Sequence, residues 1–352
     1  MKAIELRGHE KPISVIKFNF DGDLFFTGAA EKKVNVWRNH TYERIGSFKT
    51  NSSVKILDIT IDSKYLVTGS LEGTIQVFEV NGGKSIGSYK TKYKCKHLEF
   101  SYGNKHLMVL FEDYGSTAAN QVGIYDFQFF LKHLIDNNGE PKDDSIPTVC
   151  KFSLKEHIAN KIRYSYLNKY FYATTTEGLL LKFSDKGELI QKIQAHQGEA
   201  LAIEFAKDFS IMSTTGSDGC RFWDMDGLKC LRFIKQQVQM NTVAISPLLT
   251  GEFEQVKYHC LIGGGLPARD TARFKVILCI YIYILFLKDG GYEIHLCNIM
   301  YGEELGSISG HFGPINQIVF QPDGRGFISG GEESIVRCFR FDGSYWENEA
   351  LE

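Results

Sequence analysis

Residues Leu201–Asp224 read LAIEFAKDFSIMSTTGSDGCRFWD and contain the pattern that decides the fold. An alternating apolar stretch is followed by a polar turn, a second stretch ending in small residues, another turn, and a third stretch that closes on the aromatic Trp223. Alternation with a period of two is typical of half-buried β-strands, and the polar breaks are typical of tight turns. The segment therefore predicts three consecutive strands of one small sheet.

The same pattern recurs along the whole chain, from Ile13–Phe20 in the first copy to Ile315–Phe320 in the last. The closing position of each copy can be aligned at Trp37, Phe78, Tyr125, Phe183, Trp223, Cys297 and Phe339. The intervals are 41, 47, 58, 40, 74 and 42 residues. Three of them match the ~40–45-residue period of a four-stranded propeller blade, and loop insertions account for the longer ones. Because sheets arranged radially protect most of their edges, we predict an all-β, seven-bladed β-propeller.

Polar residues at fixed positions of the copies indicate the type of repeat. Gly8-His9 and Gly310-His311 stand ahead of the first and last copies, and Trp223-Asp224 closes the fifth. These are the Gly-His and Trp-Asp positions of a WD40 repeat, which the chain therefore resembles. In that family the polar residues form a buried hydrogen-bonded network that pins the turn against the strand. The resemblance implies structural roles for His9, His196, Thr215, Asp218, Trp223, His311 and Trp37.

The polar set is most complete in the fifth copy and less complete at the two ends. In the first copy, GAAEKKVNVW lacks the turn aspartate. In the seventh, Glu333 stands near the turn and Phe339 replaces tryptophan. We expect these two blades to depend more on packing than on the polar network.

We interpret residues 1–352 as one domain and residues 1–7 as the outer strand of the last blade. Lys2–Leu6 precedes the first Gly-His and is predicted to pair with the seventh copy, which closes the ring. The seven blades are placed in chain order at 8–50, 51–92, 93–135, 157–195, 196–237, 238–309 and 310–346.

Composition argues against several classes of function. A net charge of −2 gives no global electrostatic reason to bind nucleic acid, and we expect no tight RNA binding by the ring alone. The eight cysteines include no C-x-x-C, and Met1–Glu10 lacks the apolar region of a secretory signal, which fits a reducing cytoplasm. The ten histidines include no H-x-x-x-H or H-E-x-x-H. We therefore expect no metal, no cofactor and no enzymatic use of the axial channel.

Three stretches are distinctive beyond the repeat: Met1–Trp37, the last copy with its run GHFGPIN at Gly310–Asn316, and Asn241–Asp270, which contains Gly263-Gly264-Gly265. Together they resemble subunit i of eukaryotic translation initiation factor 3. The triple glycine does not have the spacing of a phosphate-binding loop. We expect it to serve a close backbone approach near the propeller axis.

The resemblance implies a non-catalytic scaffold that docks other subunits of the factor on the small ribosomal subunit in the cytoplasm. It implies that the main partner is a helix at the C-terminal end of subunit b, that subunit g also touches the ring, and that no membrane is bound. It also suggests Asp208 and Asp224 as contacts, since a carboxylate beside apolar surface can pair with a basic residue of a partner helix. Each could equally be a solvated turn residue. A different WD40 adaptor, of the kinase-receptor-associated or mRNA-export type, is the alternative.

The stretch VILCIYIYILFL at 276–287 does not fit the repeat. Twelve residues at ~1.5 Å each span ~18 Å as a helix, too short for the ~30 Å hydrocarbon core of a membrane. As a strand it would need apolar cover on both faces, which a four-stranded blade does not supply. Removal of Val276–Lys288 restores the pattern of the resembled family, and the flanking codons permit splice sites. We expect this segment to be a translated intron that is absent from the mature protein.

Overall fold

The computed structural model describes residues 3–114, 120–137, 139, 146–154, 156–250, 256–266, 291–343 and 345. In this part of the chain, twenty-eight strands form seven four-stranded antiparallel sheets. The first strand of each sheet contacts the first strand of the next, and the last sheet returns to the first. The predicted seven-bladed propeller is confirmed.

Within each blade the strands follow one another from the centre of the ring outward. Blades one to four contain β2 (Ile13–Phe18), β3 (Leu24–Ala29), β4 (Lys33–Arg38), β5 (Arg44–Lys49); β6 (Ile56–Ile59), β7 (Tyr65–Gly69), β8 (Thr74–Glu79), β9 (Ser85–Lys90); β10 (Lys94–Phe100), β11 (His106–Glu112), β12 (Gln121–Asp126), β13 (Cys150–Ser153); and β14 (Ala159–Tyr164), β15 (Tyr170–Thr175), β16 (Leu179–Ser184), β17 (Leu189–Gln194).

Blades five to seven contain β18 (Ala200–Phe205), β19 (Ile211–Gly216), β20 (Gly219–Asp224), β21 (Cys230–Lys235); β22 (Met240–Ile245), β23 (His259–Gly264), β24 (Ile294–Asn298), β25 (Glu303–Ile308); and β26 (Ile315–Phe320), β27 (Gly326–Gly331), β28 (Ile335–Arg340) with β1 (Ala3–Arg7). Two 3₁₀ helices lie at Tyr166–Asn168 and Pro247–Thr250.

The ring closes through β1, as the sequence predicts. This strand pairs antiparallel with β28, with Ala3 opposite Phe339 and Arg7 opposite Ile335. Leu6 is buried between the last and first blades, while Ile4 is 47% exposed on the other side of the strand. The first residues of the chain therefore supply the fourth strand of the last blade.

The hydrophobic core lies between neighbouring blades and not inside one sheet. One cluster, for example, joins Val15, Phe26 and Phe48 of blade one to Leu57 and Phe78 of blade two. Each sheet has two apolar faces, and each face is covered by the next blade. A single blade could not bury its own core.

Blade three is longer than predicted, and its expected limits of 93–135 are wrong. An unpredicted helix, α1 (Phe127–Asp136), separates β12 from the fourth strand, which lies at Cys150–Ser153. Asp126 caps the helix by accepting a hydrogen bond from the Phe129 amide at 3.0 Å. The buried side of α1 packs Phe130 against Tyr89 and Tyr125. The helix extends the interface between blades two and three.

The triple glycine at the end of β23 allows the close backbone approach that the sequence predicts. A Cβ at Gly263 would lie 2.5 Å from Ile318 Cδ1, and a Cβ at Gly264 would lie 2.1 Å from the Gln239 carbonyl oxygen. The segment Val276–Lys288 lies outside the described residues, so its absence from the mature protein stays a prediction. The four strands of blade six are complete without it, with Gly263 of β23 opposite Ile294 of β24.

Substitutions on the two sides of β1 should lower the free energy of unfolding by different amounts. Leu6→Asp puts a charge between two blades, so we expect the free energy of unfolding to fall by about 2–3 kcal/mol. Ile4→Asp lies on the exposed side of the same strand and should cost less than about 1 kcal/mol. Urea unfolding followed by tryptophan fluorescence measures both. Equal losses would contradict the assigned role of Leu6 in closure.

Candidate functional site

The turns of the propeller lie on two faces of the ring. We call the face where the innermost strands begin the start face and the face where they end the end face. Because each sheet is antiparallel, the turns between its first two strands and between its last two strands lie on the end face. The predicted histidine networks lie on the start face, and Asp208 and Asp224 lie on the end face.

A continuous hydrogen-bonded network connects His196 to the fifth blade. His196 precedes β18 and is 1% exposed. Its Nδ1 lies 2.6 Å from Asp218 Oδ1, and its Nε2 lies 2.8 Å from Thr214 Oγ1. Trp223 donates from Nε1 to the same hydroxyl at 2.9 Å. The network ties the incoming chain, the turn between β19 and β20, and the closing tryptophan together.

Thr214 fills the role that the sequence pattern assigns to Thr215, and that assignment is wrong by one residue. Successive side chains of a strand point to opposite faces, so Thr214 and Thr215 of β19 cannot both face His196. The Thr215 hydroxyl is buried and has no hydrogen-bond partner in the part of the chain that the structure describes.

The first blade contains the same network, with glutamate in place of aspartate. His9 Nδ1 lies 2.6 Å from Glu31 Oε1, and His9 Nε2 lies 2.8 Å from Thr27 Oγ1. Trp37 donates to that hydroxyl at 2.9 Å. As in blade five, the hydroxyl follows the histidine by 18 residues and the acid follows it by 22.

The seventh blade repeats this spacing. His311 Nε2 lies 2.7 Å from Ser329 Oγ, and its Nδ1 bonds to Glu333. Arg337 also bonds to Glu333 and reaches Glu5 of β1 at 3.2 Å. The expectation that blades one and seven depend mainly on packing is therefore wrong. A glutamate at the turn reaches the histidine as well as an aspartate does.

The pKa shifts in these networks fit a structural role. Burial lowers the pKa of His9 and His196, and the hydrogen bonds to Glu31 and Asp218 offset this only in part. For Asp218, burial alone would raise the pKa, but the hydrogen bonds from His196, the Gln197 amide and Arg221 lower it overall. The imidazoles are therefore neutral near pH 7 and the carboxylate is charged. This arrangement holds the turns in place.

Asp208 and Asp224 lie on the same face of blade five, and both also stabilise their own turns. Exposed Asp208 accepts hydrogen bonds from the amide and hydroxyl of Ser210 at 3.0 and 2.8 Å. Half-buried Asp224 accepts from the Gly227 amide at 3.0 Å. Asp62 and Asp323 occupy the position of Asp208 in other blades and also accept from the amide two residues later. Stabilisation of the turn therefore explains in part why an aspartate stands at these positions.

Exposed apolar side chains lie in the outer turn of blade six, beside blade five. Met300 and Tyr301, in the outer turn of blade six, are 50% and 62% exposed. Arg232 of β21 donates to the Met300 carbonyl oxygen at 2.7 Å and ties this turn to blade five. Leu231 beside it is also exposed. The result is an apolar strip between blades five and six, which we call the 5–6 strip.

The axial channel contains ion pairs that the sequence pattern did not predict. Lys17 lies 3.0 Å from Asp58. Arg163 lies 2.5 Å from Glu99 and 3.0 Å from Glu204. Each residue occupies an ordinary strand position in the sequence, and only closure of the ring brings the five side chains together. Alternation within one strand carries no information about such neighbours.

Two features of the described residues bear on other functions. No group of three histidine, cysteine, aspartate or glutamate side chains in these ranges could hold a metal ion. Likewise, none of the helices in the described ranges is both long and apolar enough to cross a membrane.

Comparison with known proteins identifies the family. Residues 2–38, 42–79 and 302–340 match the family described as WD domain, G-beta repeat. The chain is 32% identical to eukaryotic translation initiation factor 3 subunit I of Dictyostelium discoideum, over 99% of this chain and 96% of that protein. The chain belongs to the subunit I family of eukaryotic translation initiation factor 3.

Subunit I proteins of distant organisms match over equally long ranges. Those of Taeniopygia guttata and Schizosaccharomyces pombe are 29% and 27% identical, over 99% of this chain and 99% and 98% of theirs. The resemblance seen in the sequence to the subunit I family is confirmed. Each of the three matched ranges begins on the outer strand of one blade and continues over the three inner strands of the next, which are blades one, two and seven. Blades one and seven contain the glutamate networks.

The network predicts different losses of stability for substitutions at two adjacent threonines. Thr214→Val leaves His196 Nε2 and Trp223 Nε1 buried without a partner, so we expect the free energy of unfolding to fall by about 2 kcal/mol or more. Thr215→Val removes a hydroxyl that has no partner among the described residues and should cost less than about 1 kcal/mol. Chemical unfolding of both variants measures the difference. A larger loss for Thr215→Val would show that the network is assigned to the wrong residue.

The buried histidines predict a loss of stability in mild acid. Their folded pKa lies below the value of about 6.5 in an unfolded chain, so the unfolded state binds more protons as the pH falls. The free energy of unfolding should drop between pH 7 and pH 5, by up to about 1.4 kcal/mol per pH unit for each such histidine. His196→Gln should make this slope shallower. The exposed control His40→Gln should leave it unchanged, and identical slopes for all three proteins would contradict the linkage.

Proposed function

We propose that this ring is a non-catalytic scaffold of translation initiation factor 3 that docks other subunits on the small ribosomal subunit. Membership of the subunit I family supports association with the factor and with the ribosome, and so favours a role in the cytoplasm. The interblade core and the three histidine networks of the start face make the ring rigid. The turns that these networks hold cannot rearrange without breaking buried hydrogen bonds. A rigid ring presents its end face to partners at little conformational cost.

The observation that carries the proposal is that two carboxylates of blade five share the end face with the 5–6 strip. Asp224 ends β20, which pairs with β21, and Arg232 of β21 binds the outer turn of blade six. Asp208 lies on the same face one turn nearer the axis. An amphipathic helix with apolar and basic side chains would cover the strip and pair with both carboxylates. We assign this position to the C-terminal helix of subunit b.

Subunit g is proposed as a second partner of the ring. This proposal rests on the family resemblance. The alternative is a WD40 adaptor with other partners. Mass spectrometry of a native pull-down separates the two functions, because only a scaffold of the initiation factor recovers subunits b and g together.

Charge reversal tests the docking position. In Asp208→Lys/Asp224→Lys, like charges would meet at the interface, so we expect the affinity for a subunit b C-terminal peptide to fall at least tenfold, equivalent to about 1.4 kcal/mol. Isothermal titration calorimetry on the full chain gives the affinity. The thermal midpoint should show that the fold is intact.

A matched control separates docking from turn stability. Asp62→Lys/Asp323→Lys makes the same change in charge and removes the same kind of turn hydrogen bond in blades two and seven. It should bind the peptide as the native ring does. If both double variants bind with native affinity, the carboxylates of blade five are turn residues only.

A further inference from the structure

The axial channel has a regular lining, which comes from the innermost strand of each blade. A cavity of about 290 Å³ lies here. Counted back from the last paired residue, the second and fourth residues of each innermost strand lie on the same side of that strand. The second residues are Lys17, Asp58, Glu99, Arg163, Glu204, Ala244 and Val319, and we call them the outer layer. The fourth residues are Val15, Ile56, His97, Lys161, Ala202, Thr242 and Gln317, and we call them the inner layer.

The outer layer contains two cationic and three acidic side chains, which pair with one another. Its ion pairs join Lys17 to Asp58 and Arg163 to Glu99 and Glu204. Asp58 also accepts a hydrogen bond from the Phe100 amide at 2.8 Å. Glu99 accepts another from the Tyr164 amide at 2.9 Å. Both oxygens of Asp58 and both oxygens of Glu99 therefore have protein donors.

The inner layer differs, because two neighbouring blades contribute basic side chains with no acidic partner among the described residues. Lys161 is half-buried, and within those ranges its ammonium group has no hydrogen bond and no carboxylate within ion-pair distance. His97 is 6% exposed, and its Nδ1 is buried with no hydrogen-bond partner in the described chain. The other five members of the layer are uncharged.

The electrostatics at this position favour negative charge. Burial lowers the pKa of Lys161 to about 8, with Glu204 opposing the effect and Arg163 adding to it. Burial also holds the pKa of His97 well below its usual value, and the cations Lys161, Arg163, Lys17 and Lys55 lower it further. The ring thus buries a basic group whose charge Glu204 and Glu99 offset only in part. Burying a charge without a hydrogen-bonded partner is costly, and an added anion would lower that cost.

We propose that Lys161 and His97 form a binding site for a small oxyanion inside the axial channel. The ligand is a phosphate-type or carboxylate-type group, which would accept hydrogen bonds from the ammonium group. The cavity lies at the lower end of the range for small-molecule sites, so it suits a small ligand. This site lies on the axis, away from the 5–6 strip, and does not depend on the proposed docking of subunit b.

The test is calorimetric titration of the full chain at low salt with sulfate, inorganic phosphate and acetate in separate experiments. Lys161→Met should weaken binding at least about tenfold, because a charge-assisted hydrogen bond is lost. Lys84→Met removes an exposed lysine from an outer turn of blade two and should bind as the native chain does. Lysine-dependent binding of sulfate and phosphate identifies a phosphate-type site, and lysine-dependent binding of acetate identifies a carboxylate-type site.

A pH series with sulfate, whose charge is constant from pH 7 to pH 9, adds a second readout. The native affinity should fall as Lys161 loses its proton near pH 8. Charged and titratable side chains face Lys161 from the inner strands of blades one to five and from the turn after β18. They are Lys17, Asp58, His97, Glu99, Arg163, Glu204 and Lys207. In Lys161→Arg the charge persists to higher pH, so binding should remain and the fall near pH 8 should disappear.

Two results would overturn the proposal. One is the absence of saturable binding of all three anions to the native chain. The other is binding to Lys161→Met with native affinity. If Lys161→Met does not fold, Lys161→Arg decides the matter, since an unchanged fall near pH 8 in that variant would show that another group binds the anion.

Discussion

The antiparallel pairing of β1 with β28 is the constraint on which the rest of the ring depends. Each blade exposes two apolar faces and covers neither, so every core cluster needs the neighbouring sheet. If the ring were open, blades one and seven would each lose one covered face. Closure by residues from the other end of the sequence therefore stabilises all seven blades together, because the ring cannot part at the first or last blade without breaking a ladder of backbone hydrogen bonds.

The histidine networks add local order to this global closure. In blades one, five and seven a buried histidine joins a serine or threonine hydroxyl to a carboxylate from the next turn. In blade seven, Arg337 extends the network to Glu5 of the closing strand. A buried polar group without its partner would cost more than the bond contributes, so the networks select one register for each turn. They specify the start face and leave the end face available for partners.

The two proposed sites lie at different places in the ring and differ in their chemistry. The 5–6 strip lies where the outer turns of two blades meet, and its chemistry is apolar with carboxylates at the edge. The channel site lies where inner strands meet, and its chemistry is basic. An aspartate in the inner turn of a blade is first a turn residue, as Asp62 and Asp323 show, and Asp208 is a candidate contact because of the family resemblance and its place on the end face of blade five.

The sequence by itself determined the seven copies, the closed ring, the closing strand and the family, because each rests on a period or on motifs that can be read along the chain. Only the tertiary structure decided that Thr214 and not Thr215 meets His196, that glutamates complete the end blades, that α1 interrupts blade three, and that Lys161 lacks an acidic partner among the described residues. The physical reason is common to these cases. Alternation within a strand says that adjacent side chains point to opposite faces, but which face meets the histidine, the turn or the channel depends on chain segments distant in sequence.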